Sequence, residues 1–119
     1  MDDARPIYSQ VAEQIENDII SGALPEDTQV PSTNEFAAFL RINPATAGKG
    51  VNLLVDDGIL YKKRGIGMFV SPGARARLVA ARRERFRNQY VAPLLAEAAK
   101  LGITADQVAT MISTEEVGS

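Results

Sequence analysis

The sequence predicts a mainly α-helical fold with a small β-hairpin, followed by a short two-helix region. Three observations predict it. Apolar residues recur at three- and four-residue steps early in the chain, and two further runs open on helix-start signals at Ser32 and Asn43. After Gly58 the pattern changes to ILYKKRGIGMFV, two strand-favouring runs around a glycine-bearing turn. Ser71-Pro72-Gly73 then breaks the chain before a long helix-forming stretch.

The first helix carries Ile7, Tyr8, Val11, Ile15 and Ile19 as an amphipathic stripe, and Gly22 is placed to end it in a left-handed cap. ALPEDTQVP holds two prolines and no helical period, so it reads as a loop with a short strand at Thr28–Val30. Ser32-Thr-Asn-Glu35 is a capping box opening a short second helix, whose buried face is expected from Phe36, Ala37, Phe39 and Leu40. Only Arg41 and Ile42 precede Asn43, a capping residue followed by proline at the first helical position. The third helix should bury Ala47, Val51, Leu54 and Val55 and close at Asp57-Gly58. Two short helices joined so tightly, followed by a hairpin, describe a winged helix-turn-helix over residues 1–72.

Residues 73–119 form the helical appendage. Pro93 lies inside the run 74–100, so the helix should kink or break around Gln89 to Ala92. Thr104-Ala-Asp-Gln107 is a second capping box, opening a last helix with Val108, Met111 and Ile112 inside and a tail, TEEVGS, expected to fray.

Composition excludes several kinds of chemistry. There is no cysteine and no histidine, which removes thiolate chemistry and the commonest general base and metal ligand. No spacing recommends a carboxylate pair, so neither an enzyme nor a cofactor is expected. No stretch approaches the roughly 20 apolar residues of a membrane span, and the acidic start is not a signal peptide. A cytoplasmic protein is the expectation. The net charge is −2, but the distribution is uneven. Residues 1–40 hold Arg5 against eight acids, whereas residues 41–77 hold seven bases against Asp56 and Asp57. Such asymmetry permits a basic face on an acidic protein.

The ordered set PIYSQVAEQIENDIISGAL, VPSTNEFAAFL, INPATAGKGVNLLVDDGIL and KKRGIGMFV, spanning Pro6 to Val70, closely resembles the GntR family of bacterial transcription regulators. The INP-x-T start of the third helix and the short C-terminal region resemble its YtrA-type subfamily. The resemblance implies a dimeric repressor bound to a double-stranded DNA operator, with a C-terminal region that dimerises and in many members binds a small-molecule effector. Many relatives outside this subfamily carry DNA-contacting arginines where this chain has Asn34, Pro44 and Gly48, so that part of the reading code does not transfer. Ser32, Thr33, Thr46, Lys49 and Arg64-Gly65-Ile66-Gly67 remain at matching positions.

In a helix-turn-helix the N-terminal part of the second helix enters the major groove. Asn43 fixes where that helix starts and leaves its positive end for a phosphate. Positions 45, 48, 49 and 52 lie opposite Ala47, Val51 and Leu54, so Ala45, Gly48, Lys49 and Asn52 should face DNA. Gly48 would give the groove clearance, while Gly50 would ease the crossing with the second helix. Thr46 can meet a base edge or a phosphate, and Lys49, as a flexible point charge, a phosphate. Ser32 and Thr33 are expected on the DNA backbone. In the wing, Arg64 is expected in the minor groove, Lys62 or Lys63 on phosphates, and Gly65 and Gly67 to permit close approach.

The appendage carries Leu78, Phe86, Tyr90, Val91, Leu94, Leu95, Val108, Met111 and Ile112, an apolar stripe too large for lone helices. Pairing with a second copy would cover it and supply the two-fold symmetry a palindromic operator requires. The competing reading keeps the winged fold as a protein-interaction or scaffolding module that does not read DNA.

Overall fold

A computed structural model describes residues 5–118 of the chain. Helix α1 (Ile7–Ser21) ends at Gly22, whose φ of 90° is the left-handed cap. Helix α2 (Thr33–Leu40) opens on the expected capping box: the Glu35 amide donates to the Ser32 hydroxyl at 3.1 Å and the Ser32 amide to the Glu35 carboxylate at 2.9 Å. It ends on Arg41 with φ 57°, an unusual setting for a residue other than glycine. The Ile42 amide donates to the Ala37 carbonyl at 3.0 Å, closing the tight turn into α3 (Pro44–Asp56). There the Asn43 side chain accepts from the Ala45 amide at 2.7 Å, as its capping role requires.

Strands β1 (Leu60–Lys63) and β2 (Gly67–Val70) pair antiparallel, Leu60 opposite Val70 and Lys63 opposite Gly67. The loop before α2 runs along the far edge of β2. Asp27 and Val30 amides donate to the Val70 and Met68 carbonyls, and the Val70 amide donates to the Thr28 carbonyl. The short strand expected at Thr28–Val30 is this added edge, bridged through Gln29 and Phe69.

Two compact units divide the chain, one to Val79 and one from Ala80. In the first, Val11, Ile15 and Ile19 of α1 pack with Val51 and Leu54 of α3 and with Leu60 and Val70 of the hairpin. Ala74 and Leu78, from the first turns of α4 (Ala74–Phe86), join that core. This corrects the placement of Leu78 on the dimerisation face, since its side chain is buried inside the first unit. Phe39 corrects a second expectation, being 85% exposed. At about 100° per residue it falls roughly 110° from the middle of the stripe made by Phe36, Ala37 and Leu40. Two turns of helix have no room to bury it.

The second unit continues from α4 through a π-helical turn at Arg87–Val91 into α5 (Ala92–Lys100). The Ala92 amide reaches back five residues to the Arg87 carbonyl. Pro93 lacks an amide and would clash with the carbonyl four residues earlier, so the chain widens by one residue instead of breaking. The Thr104–Gln107 capping box is formed, with bonds of 2.8 and 3.1 Å, and opens α6 (Ala105–Gly118). Val108 is buried, but Met111 and Ile112 are more than half exposed, correcting their expected placement inside. The tail is helical through Gly118 rather than frayed, and Ser119 lies outside the described residues.

Candidate nucleic-acid interface

The polar side of α3 is open. Asn43, Ala45, Lys49 and Asn52 are not buried, nor are Thr46 and Gly48. Thr33, Asn52, Lys62, Lys63, Arg64, Gly65 and Gly67 line one groove of about 430 Å3, with Ile66 and Met68. The fold thus gathers the start of α2, a middle turn of α3 and the wing around a single hollow. Ser32 lies beside it in sequence, with its hydroxyl already accepting within the capping box.

The two glycines of α3 serve different neighbours. A Cβ at Gly50 would lie 2.6 Å from the Tyr8 carbonyl oxygen and 2.9 Å from the Val11 Cβ, so this glycine admits α1, not α2 as expected. At Gly48 a Cβ would meet only Thr33 Cγ2, at 3.4 Å. It is Gly48 that stands on the α2 side. A contact between two helices cannot be assigned from one helix's pattern, which is why Gly50 was expected against α2.

In the wing the Ile66 amide closes a turn on the Lys63 carbonyl at 2.9 Å, and Gly65 takes φ 77° with nothing within 4 Å of its missing Cβ. Gly67 has no such open space: Gln29 Nε2 sits 2.5 Å from where its Cβ would be and donates to the Ile66 carbonyl. Its bare side receives the protein's own loop. Tyr61 and Phe69 stack with centroids 5.7 Å apart, and Lys63 Nζ lies 4.5 Å from the Phe69 centroid. The Tyr61 hydroxyl donates to Asp27, and desolvation followed by this acidic neighbour pushes the Tyr61 phenol above its ordinary range.

Sequence reasoning misses one neighbour of the site and the internal engagement of two arginines. Lys49 Nζ rests over the Tyr8 ring, 4.1 Å from its centroid, whereas the sequence shows Tyr8 only as part of the apolar stripe. Arg75 and Arg77 belong to the basic segment by position, but both are engaged within the protein. Arg75 Nε donates to the Ile20 carbonyl at 2.9 Å, near the C-terminal end of α1. Arg77 donates to the Asp57 and Gly58 carbonyls at 2.8 and 3.3 Å, beyond α3. Cations are favoured at those negative helix ends.

The sequence profile of bacterial regulatory proteins of the gntR family matches residues 7–70, from the start of α1 to the end of β2. The chain belongs to the GntR family. It is 30% identical over 84 residues to the HTH-type transcriptional repressor YtrA of Bacillus subtilis (strain 168), covering 71% of this chain and 65% of YtrA. It spans only 27% of NagR, another repressor of that organism. A GntR family transcriptional regulator from Listeria monocytogenes superposes with a TM-score of 0.75 at 25% identity, over 96% of this chain and 98% of that one. The AraR DBD in complex with operator ORX1 superposes with a TM-score of 0.54 at 34% identity, over 56% of this chain and 81% of that one. These GntR relatives are regulators, not enzymes. Among the described residues no helix is long and apolar enough to cross a membrane.

Proposed function

We propose that this GntR protein is a sequence-specific DNA-binding regulator that represses transcription by occupying a palindromic operator as a homodimer. One observation carries the reading: residues from three separate elements, Thr33, Asn52 and the wing bases, line one groove beside the open face of α3. In this reading α3 enters the major groove, with Ala45, Thr46, Gly48 and Asn52 toward bases and Lys49 toward a phosphate. Arg64 at the tip of the wing reaches the minor groove, and Lys62 and Lys63 meet the backbone. The solved AraR complex with its operator supports this assignment for the first unit.

Residues 73–119 supply dimerisation. Phe86, Tyr90, Leu94, Leu95, Met111 and Ile112 are all exposed in the second unit, which supports a covering partner of the same kind. An apolar hollow of about 400 Å3 between α5 and α6 shares Leu94, Met111 and Ile112 with that face, and the buried Val108 lines it rather than standing on the face as expected. A small-molecule effector is assigned to the same region. A DNA partner also implies a cytoplasmic location.

Retention of duplex DNA by the purified protein tests the reading. Sequences selected from a random pool should contain inverted half-sites, and affinity should fall steeply with salt as counterions are released. Absence of binding to any duplex at low salt would favour the scaffolding alternative.

A further inference from the structure

The contact between Lys49 and Tyr8 deepens the DNA-binding reading and rests on it. Lysine side chains on helix surfaces ordinarily sample many rotamers, and immobilising one costs entropy at the moment of binding. Lys49 has a resting place. Its ammonium lies 4.1 Å from the Tyr8 ring centroid, well within the range where the ring quadrupole attracts a cation. Two further features place the ring there. Gly50, one residue along, lets the first turn of α1 press against α3, since a Cβ would strike the Tyr8 carbonyl. Gln10 Nε2 also donates to the Arg5 carbonyl, tying down the start of α1.

We infer that Tyr8 is a positioning residue for DNA binding: its ring holds the Lys49 ammonium at the seam between α1 and α3, set for a phosphate rather than a base edge. A charge held toward α1 is drawn off the middle of the reading face, where Ala45 and Asn52 stand. The contact therefore adds affinity without adding sequence preference. Lys63 on Phe69 repeats the arrangement in the wing, so two of the candidate phosphate contacts rest on aromatic faces.

The test uses the whole 119-residue chain with two probes: the duplex it selects from a random pool and a scrambled duplex of the same length. Tyr8→Leu should weaken both by the same factor, about two- to fivefold, the scale of an exposed cation–π contact. Tyr8→Phe, which keeps the ring, should bind as wild type. In a Lys49→Ala background Tyr8→Leu should have no further effect, because the lysine it positions is gone. Should Tyr8→Leu fail to fold, phenylalanines of increasing fluorination at position 8 keep the ring's shape while draining its face, and affinity should fall with each fluorine.

Wild-type affinity in Tyr8→Leu overturns the inference, as does a loss that persists in the Lys49→Ala background. A loss confined to the selected duplex also overturns it, since Lys49 would then be reading a base. Wild-type protein that retains neither duplex defeats the DNA-binding reading and this inference together. Tight wild-type binding that is indifferent to Tyr8 defeats the inference alone.

Discussion

Gly48 and Gly50 stand two residues apart on α3, yet alanine at each should have opposite effects. Replacing a helical glycine by alanine gains about 1 kcal/mol where space allows. At Gly48 the new methyl meets only a threonine side chain, so Gly48→Ala should raise stability in urea unfolding while weakening DNA binding. At Gly50 the methyl meets the backbone and Cβ of a neighbouring helix, which cannot rotate away. Overpacking of that kind costs about 1–3 kcal/mol, enough to cancel the propensity gain, so Gly50→Ala should unfold at lower urea. Glu35 gives a prediction in pH. Its carboxyl is held below the ordinary glutamate range, first by the Ser32 amide and then by the Ser32 hydroxyl. A lowered folded-state pKa means that the unfolded chain binds the proton more readily. The stabilisation is therefore fully present above the ordinary glutamate value and is lost as pH falls through the lower folded one. Wild type should melt above Glu35→Gln at neutral pH, and the gap should close on acidification.

Among the elements, α4 is fastened at its first turns by two arginines on the carbonyl ends of other helices. Arg77→Ala should lower stability by about 1 kcal/mol, and Arg77→Lys should restore less than half of that, because the lysine cannot reproduce the guanidinium fork. Thermal or urea unfolding decides it. These fastenings were illegible in the sequence for a simple reason: donor and acceptor are 19 to 55 residues apart. Signals confined to one turn were legible. Ser32 with Glu35, Asn43 with Pro44, and Thr104 with Gln107 placed three helix starts correctly, since each cap is made within three residues. Periodicity placed Val11, Ile15 and Ile19 of α1 and the core of α3, but misplaced Ile7, which is exposed in the first turn of α1, and Phe39, where eight residues are too few to define a stripe. The same limit applies to the site. Which candidate DNA-facing residues of α3 and the wing are exposed could be read, but Tyr8 under Lys49 and Gln29 against Gly67 required the tertiary structure.

For the whole molecule, the proposed assembly makes the second unit answerable for affinity although it reads no bases. Leu94→Asp or Phe86→Asp should leave the first unit folded, convert the protein to monomer by light scattering, and weaken operator binding by far more than binding to a single half-site. A monomeric wild type would remove the basis for that coupling. The widened turn at Arg87–Val91 has a consequence of its own. Each added residue rotates the downstream helix by about 100°, so the azimuth of Leu94 and Leu95 relative to Phe86 is set by one residue of surplus chain. A homologue lacking that residue would keep its helices and its composition while presenting a different ridge to its twin. Insertions and deletions at this point, more than substitutions, are where pairing preferences between sister proteins would diverge.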